Sequence, residues 1–200
     1  MSARAYRSNL RRSVAQENRA RIIESARSLL VAEKPGRFTI DAVADAAGVA
    51  RMTIYHQFGS KRGLIEALLD DLAVRGGIGR LPDAFKSADA FSGLQILVEV
   101  FTGLWASQGA LISRLRAFSA FDPELGHGDR NSRRLQALTL LIGRLSDERG
   151  QPDRAHLGEL ADLIQALTSF EAYLSLNRAG RDEGQIAALI TAGCARLLGV

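Results

Sequence analysis

Residues 48–61 read GVARMTIYHQFGSK: a glycine, a short run with helical spacing, then a second glycine ahead of Ser60-Lys61. A helix of seven or eight residues does not hold itself together in water, where isolated helices need about 12 to 15 residues to be even marginal. The stretch from about Ala50 to Phe58 therefore requires neighbours. On a 100° wheel Ile54 and Phe58 share one face, Met52, Thr53 and His56 point away from it, and Tyr55 lies on the flank. Such a helix is anchored by one side and offers the other.

The residues ahead of it supply the support. Pro35-Gly36 ends a helix over residues 16–34, QENRARIIESARSLLVAEK, because proline disfavours helix in the residue before it and glycine permits a left-handed exit. Thr39 then stands as N-cap of IDAVADAA, with Asp41 in the first turn, where the helix dipole favours a negative charge. Ile40, Val43, Ala44 and Ala47 recur at i, i+3, i+4 and i+7, giving one apolar face. Gly48 is expected at positive φ and Val49 turned inward. Helix, glycine turn and second helix make a helix-turn-helix, whose second helix enters the DNA major groove while the first supports it.

The outward side chains suit that role. Arg51 offers a bidentate pair to guanine O6 and N7, the Thr53 methyl fits a thymine methyl, and Met52 adds an apolar contact. Tyr55 and His56 reach phosphates or base edges, and Thr39 reaches phosphate from the start of its helix. Ser60 caps a fourth helix, KRGLIEALLDDLAVR, whose first N–H groups and Lys61 form an anion site fitted to a DNA phosphate. A glycine turn between helices also occurs in purely structural hairpins, and a lone Tyr55 or His56 is more often just half exposed. Charge tips the balance. The 200 residues carry a net charge of +4, but residues 1–62 hold 12 Lys+Arg against 5 Asp+Glu, or +7, and residues 63–200 hold 14 against 17, or −3. A basic end of this kind is the footprint of a polyanion-binding surface.

An anionic membrane is the other polyanion. The apolar stripe of residues 16–34 (Ile22, Ile23, Ala26, Leu29, Leu30) has Glu17, Glu24 and Glu33 interleaved with its arginines, the balance of a core-facing helix rather than a membrane-surface one. No apolar run approaches the 18 or more residues of a span, so no membrane partner is expected. Residues 1–15 begin MSARAYRSNLRRSV, with four arginines and no acid; no apolar segment of a secretory signal follows, and they read as a flexible basic arm. The single cysteine, Cys194, cannot pair within the chain, and no Cys/His cluster has zinc-ligand spacing, so a reducing, cytoplasmic setting is expected. Flanked by Ile186, Leu189, Ile190, Leu197 and Leu198, Cys194 reads as a small buried hydrophobe.

The remainder reads as helices. RGGIGR at 75–80 and Pro82 mark a linker; no strand precedes this glycine cluster and no GK[ST] follows, so it is not a phosphate loop. Residues 87–107 and 109–121 form two helices with broad apolar faces, Asp122-Pro123 separates them from a long helix ending near Gly150-Gln151-Pro152, and two more run over about 153–179 and 182–198. In the last pair Leu157, Leu160, Ile164, Leu167, Glu171 and Leu174, then Ile186, Leu189, Ile190, Gly193 and Leu197, recur at helical steps. They close either the monomer core or a four-helix dimer interface, and pattern alone weighs these equally. A ligand cavity is expected among Phe101, Trp105, Leu115, Phe118, Phe121, Leu141, Phe170 and Tyr173, with Gln108 and Glu171 as polar groups, although aromatics at helical spacing are more often plain core. His127 and His156 stand isolated, no nucleophile-base-acid set is present, and neither catalysis, a metal nor a cofactor is expected.

The ordered set Phe38-Thr39-Ile40, Val43-Ala44, Ala47-Gly48-Val49, Thr53-Ile54-Tyr55-His56-Gln57-Phe58 and Ser60-Lys61 with Leu64 resembles the tetracycline-repressor (TetR) family of bacterial regulators, over roughly residues 16–75. The resemblance implies an all-α homodimer of about nine helices. Its helix-turn-helix domain would span residues 16–62, and a helical ligand-binding and dimerisation domain residues 63–200. It supports Thr39, Arg51, Thr53, Tyr55, His56 and Lys61 as DNA contacts, and favours Leu160, Ile164, Leu167, Leu174, Ile186, Leu189, Gly193 and Leu197 as a dimer interface. Two positions depart from the family's pattern. Ala50 stands where Ser or Thr is frequent, removing a capping hydroxyl, and Arg62 stands where Glu is frequent. The implied function is a repressor on a double-stranded palindromic operator, released by an as yet unidentified small molecule. The alternatives are a helical small-molecule-binding protein with an incidental basic end, or a repressor governed by a protein partner or by no effector.

Overall fold

The computed structural model describes the backbone of residues 3–32, 38–119, 130–150 and 156–200, with side chains from residue 13 onward. All regular structure among them is helical: α1 (Ala3–Ala32), α2 (Ile40–Ala47), α3 (Arg51–Phe58), α4 (Lys61–Arg75), a 3₁₀ turn (Ile78–Arg80), α5 (Leu81–Lys86), α6 (Ala90–Ser119), α7 (Arg130–Glu148), α8 (Leu157–Leu167), α9 (Phe170–Arg178) and α10 (Glu183–Leu198). They form two compact units, Met1–Asp71 with Ala110–His127, and Leu72–Gly109 with Gly128–Val200.

In the first unit α1 packs on α2, and α2 on α3. Ile22, Ala26 and Leu30 of α1, Val43 and Ala47 of α2, Ile54 of α3, and Leu64, Ile65 and Leu68 of α4 are buried. Phe38 meets Phe118 edge to face, with ring centroids 6.3 Å apart. Helix α1 starts at Ala3, so residues 3–15, expected as a flexible arm, continue the helix; alanine, arginine and leucine are strong helix formers. The Pro35-Gly36 stop lies outside the described residues.

The second unit corrects three boundaries. The glycine cluster after α4 is not a loose linker: Gly76-Gly77 turns the chain into the 3₁₀ segment and α5, where Pro82 occupies the first turn that has no use for an N–H. Residues 87–107 and 109–121, expected as two helices, are one 30-residue helix, α6. Its start is fixed by Asp89, which accepts the Ser92 N–H at 2.8 Å, and by Glu148 of α7, which accepts the Ala90 N–H at 2.9 Å. Conversely, the helix expected over 153–179 breaks at Thr168-Ser169. Ser169 accepts the Ala172 N–H at 3.1 Å and so starts α9.

Helix α6 is long and apolar enough to cross a membrane by length and composition alone, with a mean hydropathy of 1.3 over its best window, although polar residues interrupt its apolar runs. Of that window 56% is buried inside the protein, as a core helix requires.

Candidate nucleic-acid interface and helical body

The local sequence builds the helix-turn-helix through its caps. Thr39 Oγ1 accepts the Ala42 N–H at 3.1 Å and starts α2. Gly48, at φ 62°, ends it, and the Val49 N–H returns to the Ala44 carbonyl at 3.0 Å. Ala50 precedes α3 as an N-cap without a side-chain acceptor, and the Thr53 N–H, which a hydroxyl at this position could accept, donates to the Ala50 carbonyl at 2.8 Å. Ser60 Oγ accepts the Gly63 N–H at 3.0 Å and starts α4.

Ile54 is the one fully buried residue of α3. Phe58 is half-buried beneath the Arg19 guanidinium, which lies 4.5 Å from its ring centroid and donates to the Gln57 carbonyl at 3.2 Å. Gln57 in turn donates to the Ala15 carbonyl at 3.3 Å. Arg19 and Gln57, to which the sequence assigned no role, thus clamp the back of α3 to α1; the i, i+1 pair Gln57-Phe58 at a helix end was the available signal. Val49, expected to point inward, is half-buried.

On the opposite side Met52 is 59% exposed, His56 and Arg51 are exposed, and Thr53 and Tyr55 are half-exposed. Arg51 is already engaged. Its Nη1 donates to both carboxylate oxygens of Asp41 at 3.1 Å, and its Nη2 to the Tyr55 hydroxyl at 3.3 Å. Tyr55 and then Asp41 hold the Arg51 guanidinium still more firmly protonated than usual. Thr39 is exposed, and Lys61 sits at the start of α4 with Nζ 5.9 Å from the Phe38 ring centroid.

The aromatic residues expected to line one cavity separate. Phe101, Trp105 and Phe170 cluster, with successive centroids 5.9 and 5.4 Å apart, and Tyr173 is buried. Phe118 belongs instead with Phe38. Phe121 lies outside the described residues. The aromatic cluster is closed over by Arg134, 7% exposed, whose guanidinium carbon is 5.4 Å from the Phe101 centroid and 5.9 Å from that of Trp105. Arg134 Nη1 and Trp105 Nε1 both donate to the Thr168 carbonyl, at 3.1 and 3.0 Å, satisfying a carbonyl that the end of α8 leaves without an intrahelical partner. Burial lowers the Arg134 pKa, partly offset by Glu171. Leu115 and Leu141 are buried, as is Gln108.

An open groove of about 770 Å³ lies elsewhere in this unit, lined by Arg80, Phe91, Gln95 and Glu99 on one side and by Glu183, Ala187, Thr191 and Ala195 of α10 on the other. The sequence reading missed it, although Gly184, Ala187, Ala188, Thr191, Ala192 and Ala195 recur at helical steps, a face too small to fill the space beside it.

The expected dimer set also divides. Ile164 and Ile186 are fully buried within the subunit and so are core, not interface; their shared apolar period cannot say which neighbour covers them. Leu189 and Leu197 are each 40% exposed and Leu163, unforeseen, is 51% exposed. Leu160, Leu167, Leu174 and Gly193 are half-exposed, and Gly193 lies beside Leu167, whose Cδ1 a Cβ there would meet at 3.8 Å. Helices α8 and α10 thereby join two partly exposed apolar edges. No group of three or more potential metal-ligating side chains occurs among the described residues.

Residues 22–68 match the family model described as bacterial regulatory proteins, tetR family. The HTH-type transcriptional regulator TtgR of Pseudomonas putida is 35% identical over 92 residues, which is 45% of this chain and 44% of that protein; the match thus spans less than half of the curated relative. In fold, a protein from Mesorhizobium loti MAFF303099 assigned to the TetR family superposes with a TM-score of 0.65 at 16% identity, covering 92% of this chain and 96% of that one. A TetR-like transcriptional regulator from Rhodococcus sp. RHA1 superposes with a TM-score of 0.64 at 14% identity, covering 91% and 96%. The likeness in sequence thus lies in the N-terminal helix-turn-helix, where residues 22–68 are similar to the tetR family of bacterial regulatory proteins.

Proposed function

We propose that the chain is a cytoplasmic, sequence-specific transcriptional regulator: a homodimeric repressor that holds a palindromic operator and releases it when a small molecule binds the C-terminal body. The observation that carries this reading is α3, whose Ile54 face is buried while Arg51, Met52 and His56 stand exposed within a segment of charge +7. In this reading Arg51, Met52 and Thr53 read base edges, Tyr55, His56 and Thr39 take phosphate or base edges, and Lys61 with the α4 N-terminus takes a phosphate. The partly exposed edge of Leu163, Leu189 and Leu197 supports a dimer that sets two α3 helices about 34 to 36 Å apart.

The groove between α6 and α10 supports a small-molecule effector, its size falling among those of small-molecule sites, roughly 300 to 1,000 Å³. An effector that prefers the DNA-incompetent arrangement with a coupling of about 1 to 3 kcal/mol loosens DNA binding about 5- to 150-fold.

Selection from a randomised DNA pool at about 150 mM salt, where non-specific binding is weak, tests the reading. An enriched palindrome whose recovery is lost in Arg51→Ala supports it. A protein with an incidental basic end enriches no sequence and is indifferent to Arg51→Ala, and that outcome overturns it.

A further inference from the structure

The Arg51–Asp41 pair is poorly explained as a stabilising contact. Both side chains are more than half exposed, at 57% and 63%, and an ion pair so placed contributes little to stability. A carboxylate is also out of place there, on the outward side of a basic segment, beside the helix that meets DNA in the functional reading above. Its presence has a cost against phosphate that only a paired cation at the same spot removes. The dipole of α2 favours an acid in its first turn, but that leaves the bidentate grip on Arg51 unexplained.

The grip determines what Arg51 is able to do. Nη1 gives one hydrogen bond to each oxygen of Asp41, and Nη2 leans on the Tyr55 hydroxyl. With Nη1 committed, the two-donor edge remaining to a base is Nε with Nη2, the fork that matches guanine O6 and N7. Swinging instead to a phosphate, the nearest competing anion, requires Arg51 to abandon Asp41 and leave a bare carboxylate facing the polyanion. The pair therefore fixes the direction of that edge: a base lying along it is read with the pair intact, and an anion off that line is reached only by breaking it.

Resting on the DNA-binding reading, we propose that Asp41 is a specificity-determining positioning residue: it holds the Arg51 guanidinium in base-reading orientation and denies it the phosphate backbone. Asp41 need not touch DNA to do this.

Parallel selections from a randomised pool with wild type, Asp41→Asn, Arg51→Ala and the double variant test it, followed by affinities for the winning site and a scrambled site across a salt series. Asparagine keeps the size of the side chain and removes the charge. In Asp41→Asn the preference at one base position per half-site relaxes by at least about fivefold, the lower end of what a bidentate pair discriminates. Affinity for scrambled DNA rises, and the slope of log K against log salt steepens by about 0.9 per subunit as Arg51 becomes a phosphate contact. In the Arg51→Ala background the same change relaxes nothing further. An Asp41→Asn protein with the wild-type base matrix and the wild-type salt slope overturns the proposal, whatever its melting temperature. So does an equal relaxation by Asp41→Asn with Arg51 absent, since the effect then does not pass through Arg51. If the wild type itself enriches no sequence, it is the DNA-binding reading that fails.

Discussion

The Arg19 guanidinium lies 4.5 Å over the Phe58 ring and donates to the Gln57 carbonyl at 3.2 Å, so one side chain of α1 holds the last turn of α3 by stacking and by hydrogen bonding at once. Helix α3 has eight residues and a single fully buried one, too little to fix its own orientation. The orientation is therefore set from behind, by Arg19, by the Gln57 bond to Ala15 and by the packing of Ile54.

Arg19→Ala removes a cation–π contact worth about 0.5 to 1 kcal/mol at a partly exposed site and one hydrogen bond. The melting temperature moves little, while affinity for the selected operator falls about tenfold as α3 loosens. Arg19→Lys separates orientation from charge. Lysine keeps the positive charge but not the planar stack and fork, so it recovers less than half of the lost binding energy. Full recovery by lysine shows Arg19 acting only as a charge towards phosphate.

Gly63 offers a second handle on the same joint. A Cβ added there runs into the Phe58 carbonyl oxygen, because the turn through Gly59 brings the first turn of α4 back against the end of α3. Alanine is normally the better helix former by about 1 kcal/mol, but here the overlap is with backbone, which yields only by moving α3 or α4. Gly63→Ala lowers stability by about 1 to 3 kcal/mol, the usual cost of overpacking. Thermal unfolding read by circular dichroism checks the sign, and a rise in melting temperature refutes the tight joint.

The contrast between the helix-turn-helix and the body explains what the sequence makes readable. The helix-turn-helix is written in local signals: Thr39 and Ser60 accept the backbone N–H groups that their positions as caps demand, and Gly48 turns where a turn is needed. The body is written in contacts between distant residues. Gly109 looks like a helix break, yet α6 runs straight through it, because that position needs no side chain: a Cβ would approach the Phe170 ring at 3.1 Å. Thr168-Ser169 looks like helix interior because the apolar period of Ile164 and Leu167 carries on into Leu174, whereas the Thr168 hydroxyl donates back to the Ile164 carbonyl at 2.9 Å and Ser169 opens a new helix. Asp41 was readable as a first-turn acid; its hold on Arg51 needed α2 and α3 in place.

The edges of α8 and α10 give a test of assembly. Leu163 and Leu189 are 51% and 40% exposed, and burying what remains exposed of each in a partner contributes roughly 0.7 to 1.5 kcal/mol, about half the value for full burial. In the proposed homodimer, Leu163→Glu with Leu189→Glu yields a monomer in sedimentation equilibrium at micromolar concentration, where the wild type is dimeric. Its affinity for a two-half-site operator drops towards that for a single half-site. The same substitution at buried Ile164 damages the fold itself. A doubly substituted protein that stays dimeric places the interface on another face.

Cys194 tests how well the body is packed. It is fully buried on α10, and burial pushes its thiol from an ordinary 9.0 up to about 11. The thiolate is the reactive form, so native protein at pH 8 alkylates slowly with iodoacetamide and unfolded protein quickly. The same shift couples to stability. With a folded pKa above the unfolded one, the folded state holds the proton more tightly, so the contribution is intact below about pH 9 and is lost as pH rises through about 11. Other groups titrate in that range, and the difference in unfolding free energy between wild type and Cys194→Ala isolates the thiol. That difference is constant up to about pH 9 and then moves against the wild type. Rapid labelling of the native protein at pH 8, or a difference that stays flat to pH 11, shows the thiol open to solvent and the packing around α10 looser than the structure has it.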